Sequence, residues 1–446
     1  MGSLFGTDGI RGKANIYPIT PEIAVKVGRA VAVYFKEKGD GIVIGRDPRI
    51  SGEMLESSII AGICSMGVNV YKAGVVPTPA IAVSAKKDKR CCGIVISASH
   101  NPYYDNGIKL FKGDGFKLSD EEEDEIEALI LGDELLKKAE IISKTGIIVE
   151  EKKATADYVD FLINSMEKPD FNSLKLVVDC SNGATSEVAK LLFGKVSKNY
   201  EIIFADPDGI NINDGCGSQH TEHLKQKVID NKADLGLAFD GDGDRLIALD
   251  HEGNEISGDQ IIAICANYMH DKGILKNDTV VTTIMSNIGF VAAMRKLSLK
   301  HIMADVGDRF VLKDMLKNDA VIGGEDSGHM IFLNDHTTGD GVLSAIKLLE
   351  VAIDTGKTLK ELAKVMKIYP QILMNVEVTS KPDVFEIPEI AKIIKKVEIQ
   401  LGDDGRVLVR YSGTQPLCRV MVEGPSEEIT KDCCSQIVSV VEKAIG

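Results

Sequence analysis

Short apolar runs that stop abruptly at a polar loop constrain this chain more than any other feature. Gly93-Ile94-Val95-Ile96 ends in Ser97-Ala98-Ser99-His100-Asn101-Pro102. Leu235-Gly236-Leu237-Ala238-Phe239 ends in Asp240-Gly241-Asp242-Gly243-Asp244-Arg245, and Leu246-Ile247-Ala248-Leu249 follows. Such runs, alternating with amphipathic stretches, predict buried strands of an α/β fold, where chemistry sits at strand ends. Further strands are expected over residues 41–45, 175–179, 201–204 and 279–283. Thr20-Pro21 supplies an N-cap and a first helical residue, after which Ile23, Val27, Ala30, Val31 and Tyr34 share one face up to a stop at Gly39. The glutamate-rich stretch from Ser119 to Leu131 reads as a helix with a solvated face.

Asp240, Asp242 and Asp244 alternate with glycines, so in an extended or gently curled chain their side chains converge. Carboxylates ~4 Å apart repel by roughly 4 kcal/mol per pair at an effective dielectric near 20. The loop therefore calls for a cation, and all-oxygen, all-anionic ligands suit a hard divalent ion, Mg²⁺ or Ca²⁺. A phosphoryl group on Ser99, carrying about −1.5 to −2 charge, could supply the missing ligand. An EF-hand is a poor match, since its sixth position would be Arg245 rather than Gly and its twelfth His251 rather than Glu. A solvated acidic turn is the commoner fate of Asp/Gly stretches, but apolar runs flank this one on both sides. For Ser99 alone, a cap before Asn101-Pro102 would suffice. Acyl transfer lacks both a G-x-S-x-G elbow and a recognisable Asp-His relay. Taken together, the serine and aspartate loops point to phosphoryl transfer.

Two more segments carry groups suited to a phosphorylated sugar. Gly323-Gly324-Glu325-Asp326-Ser327-Gly328-His329 presents a carboxylate, a hydroxyl and an imidazole, although such a stretch alone is more often just a turn. Val407-Leu408-Val409 leads into Arg410-Tyr411-Ser412-Gly413-Thr414-Gln415-Pro416, and Arg419 precedes Val420-Met421-Val422. Backbone N–H groups of a Ser-Gly-Thr loop can form an anion nest, and arginine forks onto phosphate.

With these loops in this order, and with Phe5-Gly6-Thr7-Asp8-Gly9-Ile10-Arg11-Gly12, Arg46-Asp47-Pro48-Arg49-Ile50-Ser51-Gly52 and Tyr103-Tyr104-Asp105-Asn106-Gly107-Ile108-Lys109, the chain resembles the α-D-phosphohexomutases over nearly its whole length. Asn211-Ile212-Asn213, Cys216-Gly217-Ser218, His220 and Val306-Gly307-Asp308-Arg309-Phe310-Val311 resemble the glucosamine branch of that family. The resemblance implies an α/β protein of four domains: three related α/β domains around a central cleft, and a smaller C-terminal α+β domain that closes over substrate. Their expected spans are 1–152, 153–250, 251–367 and 368–446.

The implied activity is interconversion of glucosamine 6-phosphate and glucosamine 1-phosphate through a phosphoserine at Ser99 and a hexose 1,6-bisphosphate intermediate. Asp240, Asp242 and Asp244, with the phosphoserine at Ser99, would hold one Mg²⁺. Glu325 and Ser327 would bind sugar hydroxyls, and Arg410, Ser412, Gly413, Thr414 and Arg419 the phosphate not being transferred. Arg11 and Arg245 would add positive charge around the moving group. Lys109, expected among cations and metal, or His329 would accept the hydroxyl proton. Gln415 stands where many relatives carry glutamate and Asp326 at a variable position, and neither removes a proposed catalytic group. The rival readings are a phosphomannomutase or phosphoglucomutase, a D-x-D phosphatase with Asp240 as nucleophile, and a non-enzymatic sugar-phosphate binder.

A length of 446 residues exceeds what one core holds, and domain joins are expected near Lys152, His251 and Lys367. A net charge of −15 argues against nucleic acid as a partner while leaving room for arginines to make one cleft positive. Nine cysteines without a C-x-x-C pair or a zinc spacing fit a reducing cytosol. No signal-peptide pattern, myristoylation site or apolar run of transmembrane length is seen, so a cytoplasmic protein without a membrane partner is expected. The partner is expected to be a small sugar phosphate, and a homodimer is left open. Gly356-Lys357-Thr358 lacks the upstream glycine of a P-loop, and Gly215-x-Gly217 lacks the third glycine of a dinucleotide fingerprint.

Overall fold

Where the sequence alternates apolar runs with amphipathic stretches, the computed structural model places parallel strands and crossover helices. It describes residues 4–6, 8–36, 38–132, 135, 143–412 and 416–446. The first domain holds β1 (Phe5–Gly6), β2 (Gly9–Lys13), β3 (Ile42–Arg46), β4 (Val70–Val75), β5 (Cys92–Ile96), β6 (Asp105–Lys112) and β7 (Ile148–Glu150), in the order β1-β2-β6-β5-β3-β4-β7. The second holds β8 (Leu176–Asp179), β9 (Tyr200–Ile203), β10 (Leu235–Phe239), β11 (Leu246–Asp250) and β12 (Glu255–Ile256), ordered β12-β11-β10-β8-β9. The third holds β13 (Thr279–Thr283), β14 (Lys300–Ala304), β15 (Ile322–Gly324) and β16 (Met330–Phe332), ordered β14-β13-β15-β16. The four expected strands thus form, each displaced by at most one residue.

These sheets share one plan that no sequence repeat announces. Each contains three parallel strands, ordered second, first, third, and then a fourth strand antiparallel to the third: β4-β3-β5-β6, β9-β8-β10-β11 and β14-β13-β15-β16. A helix crosses over between each pair of parallel strands, as Gly52–Ser65 and Thr78–Lys87 do in the first domain. β5 and β10 are buried along their full length, as a strand covered on both faces requires.

In the helix Pro21–Phe35, Thr20 caps by accepting from the Ile23 N–H at 3.4 Å. The helix stops at Phe35, before Gly39, and its buried stripe runs through Ala24, Val27, Val31 and Phe35, with Ile23 and Tyr34 only partly buried. It packs on Gly52–Ser65 at close range because Gly28 and Gly62 lack side chains. A Cβ on Gly28 would lie 2.2 Å from the Ile59 oxygen, and one on Gly62 2.3 Å from the Val25 oxygen. The acidic helix Asp120–Leu131, capped by Ser119, has the expected solvated face in Asp120, Glu121, Asp124 and Glu125, but not all its carboxylates lie on it. Glu123 and Glu127 are buried, and the Glu127 carboxylate accepts from the N–H groups of Leu4 at 2.9 Å and Phe5 at 3.1 Å. Those unpaired strand-end donors need a buried acceptor, which the helical pattern alone does not reveal.

The chain divides into two compact units, Met1–Ile284 with Leu299–Lys364, and Met285–Ser298 with Val365–Gly446. The helix Ile288–Lys296, the crossover from β13 to β14, belongs to the second unit, an assignment the sequence reading did not foresee. That unit has an antiparallel sheet β17-β19-β18, made of β17 (Gln371–Glu377), β18 (Arg406–Tyr411) and β19 (Leu417–Glu423). The helices Pro388–Leu401 and Glu427–Ile445 bury Ile390, Ile394, Val397, Ile437 and Val441 in its core. Fully buried Glu423 ties in the crossover helix, accepting from the Ile288 N–H at 3.1 Å and pairing with Arg406 at 2.9 Å. No helix among the described residues is long and apolar enough to cross a membrane.

Candidate active site

The shared plan places three polar loops at one topological position, between the third parallel strand and its antiparallel neighbour. Ser97–His100 lies between β5 and β6, Asp240–Asp244 between β10 and β11, and Glu325–His329 between β15 and β16. Their convergence at one site is visible in the hydrogen bonds. Ser99, 1% exposed, donates from Oγ to Asp240 Oδ2 at 2.5 Å, and Arg245 forms an antiparallel bridge with His329. Gly241 permits the approach, since a Cβ there would lie 2.6 Å from the Ser99 carbonyl oxygen.

Ser97 and Ser99 are held differently. Ser97 Oγ donates to Asp47 Oδ2 at 2.6 Å and accepts from the Ser99 N–H at 2.9 Å, so it shapes the loop. Ser99 has φ +53°, a left-handed backbone uncommon for serine, and its Oγ also lies 3.2 Å from His100 Nδ1. Burial, with Arg245 and Arg11 adding to it, pushes the His100 imidazole down to about 4.

Asp240, Asp242 and Asp244 are all buried, with one carboxylate oxygen of each within 4.8 Å of the others. Burial pushes the Asp240 carboxyl well above its ordinary value, and Asp244 and Asp242 push it further. Burial also opposes ionisation of Asp244, but Lys109, His329 and Arg245 outweigh it and hold that carboxyl well below the usual range. Asp242 Oδ2 accepts from Thr78 Oγ1 at 2.5 Å and from Lys109 Nζ at 2.8 Å. The remaining oxygens Asp242 Oδ1 and Asp244 Oδ1 are buried without a hydrogen-bond partner. Three carboxylates, two of them with an orphaned oxygen, form an all-oxygen donor set that fits a hard divalent cation.

Lys109, on β6, reaches Asp242, Asp244 at 3.0 Å and Asp8 at 3.1 Å. Its ion-pair partners are three carboxylates, two of them from the aspartate cluster that could hold a metal, and Arg11 is near enough to act on its charge. Burial works against its charge, yet Asp242, Asp244 and Asp8 hold the ammonium well above the ordinary lysine value, with Arg11 opposing. Arg11 pairs with Asp8, and Lys117 bridges Asp8 and Asp308. Arg245 donates its backbone N–H to Asp240 Oδ1 at 3.2 Å and lies 3.9 Å from Asp244.

In the third loop, His329 is buried with Nδ1 3.7 Å from Asp244 and Nε2 3.5 Å from Asp308. Burial would lower its pKa, but these two carboxylates raise it. Glu325 Oε1 accepts from the Gly307 N–H at 3.1 Å, whereas Ser327 Oγ has no partner and Asp326 is exposed. The loop thus keeps a carboxylate and a free hydroxyl on the turn between β15 and β16.

In the second unit, Arg410 and Arg419 face each other across the β18–β19 register. Neither has a carboxylate partner among the described residues, and Arg419 Nε is buried without a hydrogen-bond partner. Burial and then Arg419 lower the Arg410 pKa, as two unpaired guanidinium groups side by side require. Ser412 lies at the end of this strand, and Gly413, Thr414 and Gln415 fall outside the described residues. Such a pair is suited to an anion.

Asp8, Thr78, Lys117 and Asp308 are site residues that sequence reasoning did not single out. Thr78 opens a helix after β4, and nothing local marks it as a partner of Asp242.

Four family models match the chain: phosphoglucomutase/phosphomannomutase alpha/beta/alpha domain I over residues 2–137, domain II over 156–253, domain III over 257–369 and the C-terminal domain over 373–440. The chain is 52% identical to the phosphoglucosamine mutase of Syntrophobacter fumaroxidans and 53% identical to that of Desulforapulum autotrophicum, each alignment covering 100% of both chains. Among solved structures it is similar to a phosphoglucomutase/phosphomannomutase family protein from Burkholderia thailandensis, with TM-score 0.79 and 22% identity over 98% of this chain and 97% of that one. It is also similar to Aspergillus fumigatus N-acetylphosphoglucosamine mutase in complex with GlcNAc-6P and magnesium, with TM-score 0.68 and 18% identity over 99% and 96%.

Proposed function

Because the chain belongs to the phosphoglucomutase/phosphomannomutase family and matches phosphoglucosamine mutases from end to end, we propose that it interconverts glucosamine 6-phosphate and glucosamine 1-phosphate. The observation that carries the chemistry is the buried Ser99 hydroxyl, 2.5 Å from Asp240 at the meeting point of three loops. Phosphorylated Ser99 gives its group to the free oxygen of the sugar phosphate, yielding a hexose 1,6-bisphosphate. The sugar reorients, and its other phosphate returns to Ser99. In phosphoryl transfer the protein chiefly positions groups and balances charge. Arg11, Lys109, Lys117 and Arg245 supply positive charge in this part of the molecule. His329, buried between Asp244 and Asp308, is the group assigned to move the hydroxyl proton, with Lys109 as the alternative.

Asp240, Asp242 and Asp244, with an oxygen of phosphorylated Ser99, would hold Mg²⁺, which when bound neutralises the aspartates and stabilises charge on the moving group. Glu325 and Ser327 are assigned to sugar hydroxyls. Arg410, Ser412 and Arg419, together with Gly413 and Thr414, are assigned to phosphate. Nine free, buried cysteines suit the reducing cytoplasm as the place of action.

The test is peptide mass spectrometry for phosphate on Ser99, alongside turnover of glucosamine, mannose and glucose phosphates with and without EDTA. A phosphate on Ser99 and EDTA-sensitive preference for the glucosamine phosphate support the reading. Phosphate hydrolysis that survives Ser99→Ala would replace it by the Asp240 phosphatase.

A further inference from the structure

A left-handed serine backbone persists only where its surroundings hold it, and such conformations gather at functional sites. Ser99 is held by two side chains from different domains that meet on the same pair of carbonyls. Arg49 Nη2 donates to the Ser99 oxygen at 2.9 Å and to the Asn101 oxygen at 2.8 Å. Asn213 Nδ2 donates to both oxygens at 3.0 Å. Each nitrogen uses both hydrogens and each carbonyl both lone pairs, which also settles the orientation of the Asn213 amide.

The two donors are themselves fixed. Arg49 is 0% exposed, its Nε donates to Asp47 Oδ2 at 2.8 Å, and its Nη1 donates to the Asp105 oxygen at 3.1 Å and to the Pro102 oxygen. All five guanidinium hydrogens are therefore engaged. Asn213, 9% exposed and at φ +60°, is anchored by its own N–H to the Ser181 oxygen at 2.9 Å. Asn213 follows β9 in the domain that carries the aspartate loop, whereas Arg49 follows β3 in the domain that carries Ser99.

We propose that Arg49 and Asn213 are positioning residues that clamp the Ser99 and Asn101 carbonyls from two domains and thereby aim the Ser99 hydroxyl at the aspartate loop. Without the clamp, the Ser99 peptide can turn out of its left-handed conformation and carry Oγ away from Asp240. The clamp's hydrogen bonds end on backbone carbonyls and on Asp47, so it acts on the chemical step and leaves substrate affinity alone. This proposal rests on the reading of Ser99 as the phosphoryl carrier.

The test compares Asn213→Gly and Asn213→Asp with the full-length wild-type protein. Glycine accepts φ +60° at least as readily as asparagine, so the first variant removes the donors while sparing the backbone. Aspartate keeps size and shape but turns oxygen toward the two carbonyls. Both variants should lose kcat by about tenfold to a hundredfold with KM for the sugar phosphate changed by less than about twofold, as a misplacement near 1 Å predicts. Phosphorylation of Ser99 by a hexose 1,6-bisphosphate, followed by intact mass, should slow by the same factor. Arg49→Lys, which keeps the charge beside Asp47 but has fewer donors, should lose more, and the Asn213 variants decide the matter if that protein does not fold. Wild-type kcat in Asn213→Gly, or a loss confined to KM, overturns the clamp. A wild-type protein that neither turns over nor carries phosphate on Ser99 overturns the functional reading instead.

Discussion

Ser97 and Ser99 stand two residues apart and have separate duties because one hydroxyl faces Asp47 and the other Asp240. Ser99→Ala should keep fold and metal binding and lose mutase turnover by several orders of magnitude, since the covalent carrier is gone. Ser97→Ala removes the acceptor of the Ser99 N–H and a donor to Asp47 but leaves the Ser99 hydroxyl in place, so its loss should be much smaller. A coupled assay of both variants on the sugar phosphate decides between them, and equal losses would remove the distinction. Asp242→Asn should weaken Mg²⁺ binding, measured by calorimetry, and lower turnover with it, because one of three carboxylates no longer counters the cation.

At the scale of elements, the helix Gly341–Thr355 begins on an unusual cap. Asp340 Oδ1 accepts from the Leu343 N–H at 2.9 Å and from the Tyr158 hydroxyl at 2.8 Å, while Oδ2 is buried with no partner. Burial pushes this carboxyl up from 3.8 to about 7. Between those values the unfolded chain has lost the proton and the folded chain keeps it, so the contribution to stability is full below about pH 4 and is lost as pH rises to about 7. Asp340→Asn keeps the capping oxygen and cannot ionise. Thermal denaturation should therefore show the variant more stable than wild type above pH 7, by on the order of a few kcal/mol, and level with it near pH 4. A variant less stable at pH 8 would mean that the charged cap is favourable. In the β18–β19 hairpin, Arg410→Ala should raise KM for the sugar phosphate, and lysine should restore it only in part because it lacks the planar fork. Unchanged kinetics would remove Arg410 from phosphate recognition.

At the scale of the whole molecule, Lys109 is the cross-brace between the first domain and the aspartate loop of the second. Its ammonium is 2% exposed and pairs with Asp242 and Asp244, so Lys109→Met leaves buried carboxylates uncompensated. Loss of one partner from a buried ion pair costs about 3–5 kcal/mol. The melting temperature in EDTA should fall accordingly, and added Mg²⁺ should recover more stability in the variant than in wild type. Equal Mg²⁺ shifts in both proteins would show that lysine and metal do not share the task of neutralising the loop.

The strands, the loops at their ends and the residue types those loops carry can be read from the chain alone, because a buried strand must be apolar and its period is local. The Asp-Gly alternation and the serine loop were legible for the same reason: both lie within six residues. What tertiary structure decided is every relation between distant segments. Ser99 and Asp240 are separated by 141 positions, and Thr78 and Asp242 by 164. The threefold sheet plan, which puts three such loops at one site, leaves no trace in the residues because topology depends on pairing order and many sequences satisfy it. Lys109 takes three carboxylates as its ion-pair partners, and the acidic helix, solvated on one face, buries Glu123 and Glu127 on the other. In both cases the partner of a buried charge comes from another domain or another strand, and a local pattern can signal that a charge is present without saying what will face it.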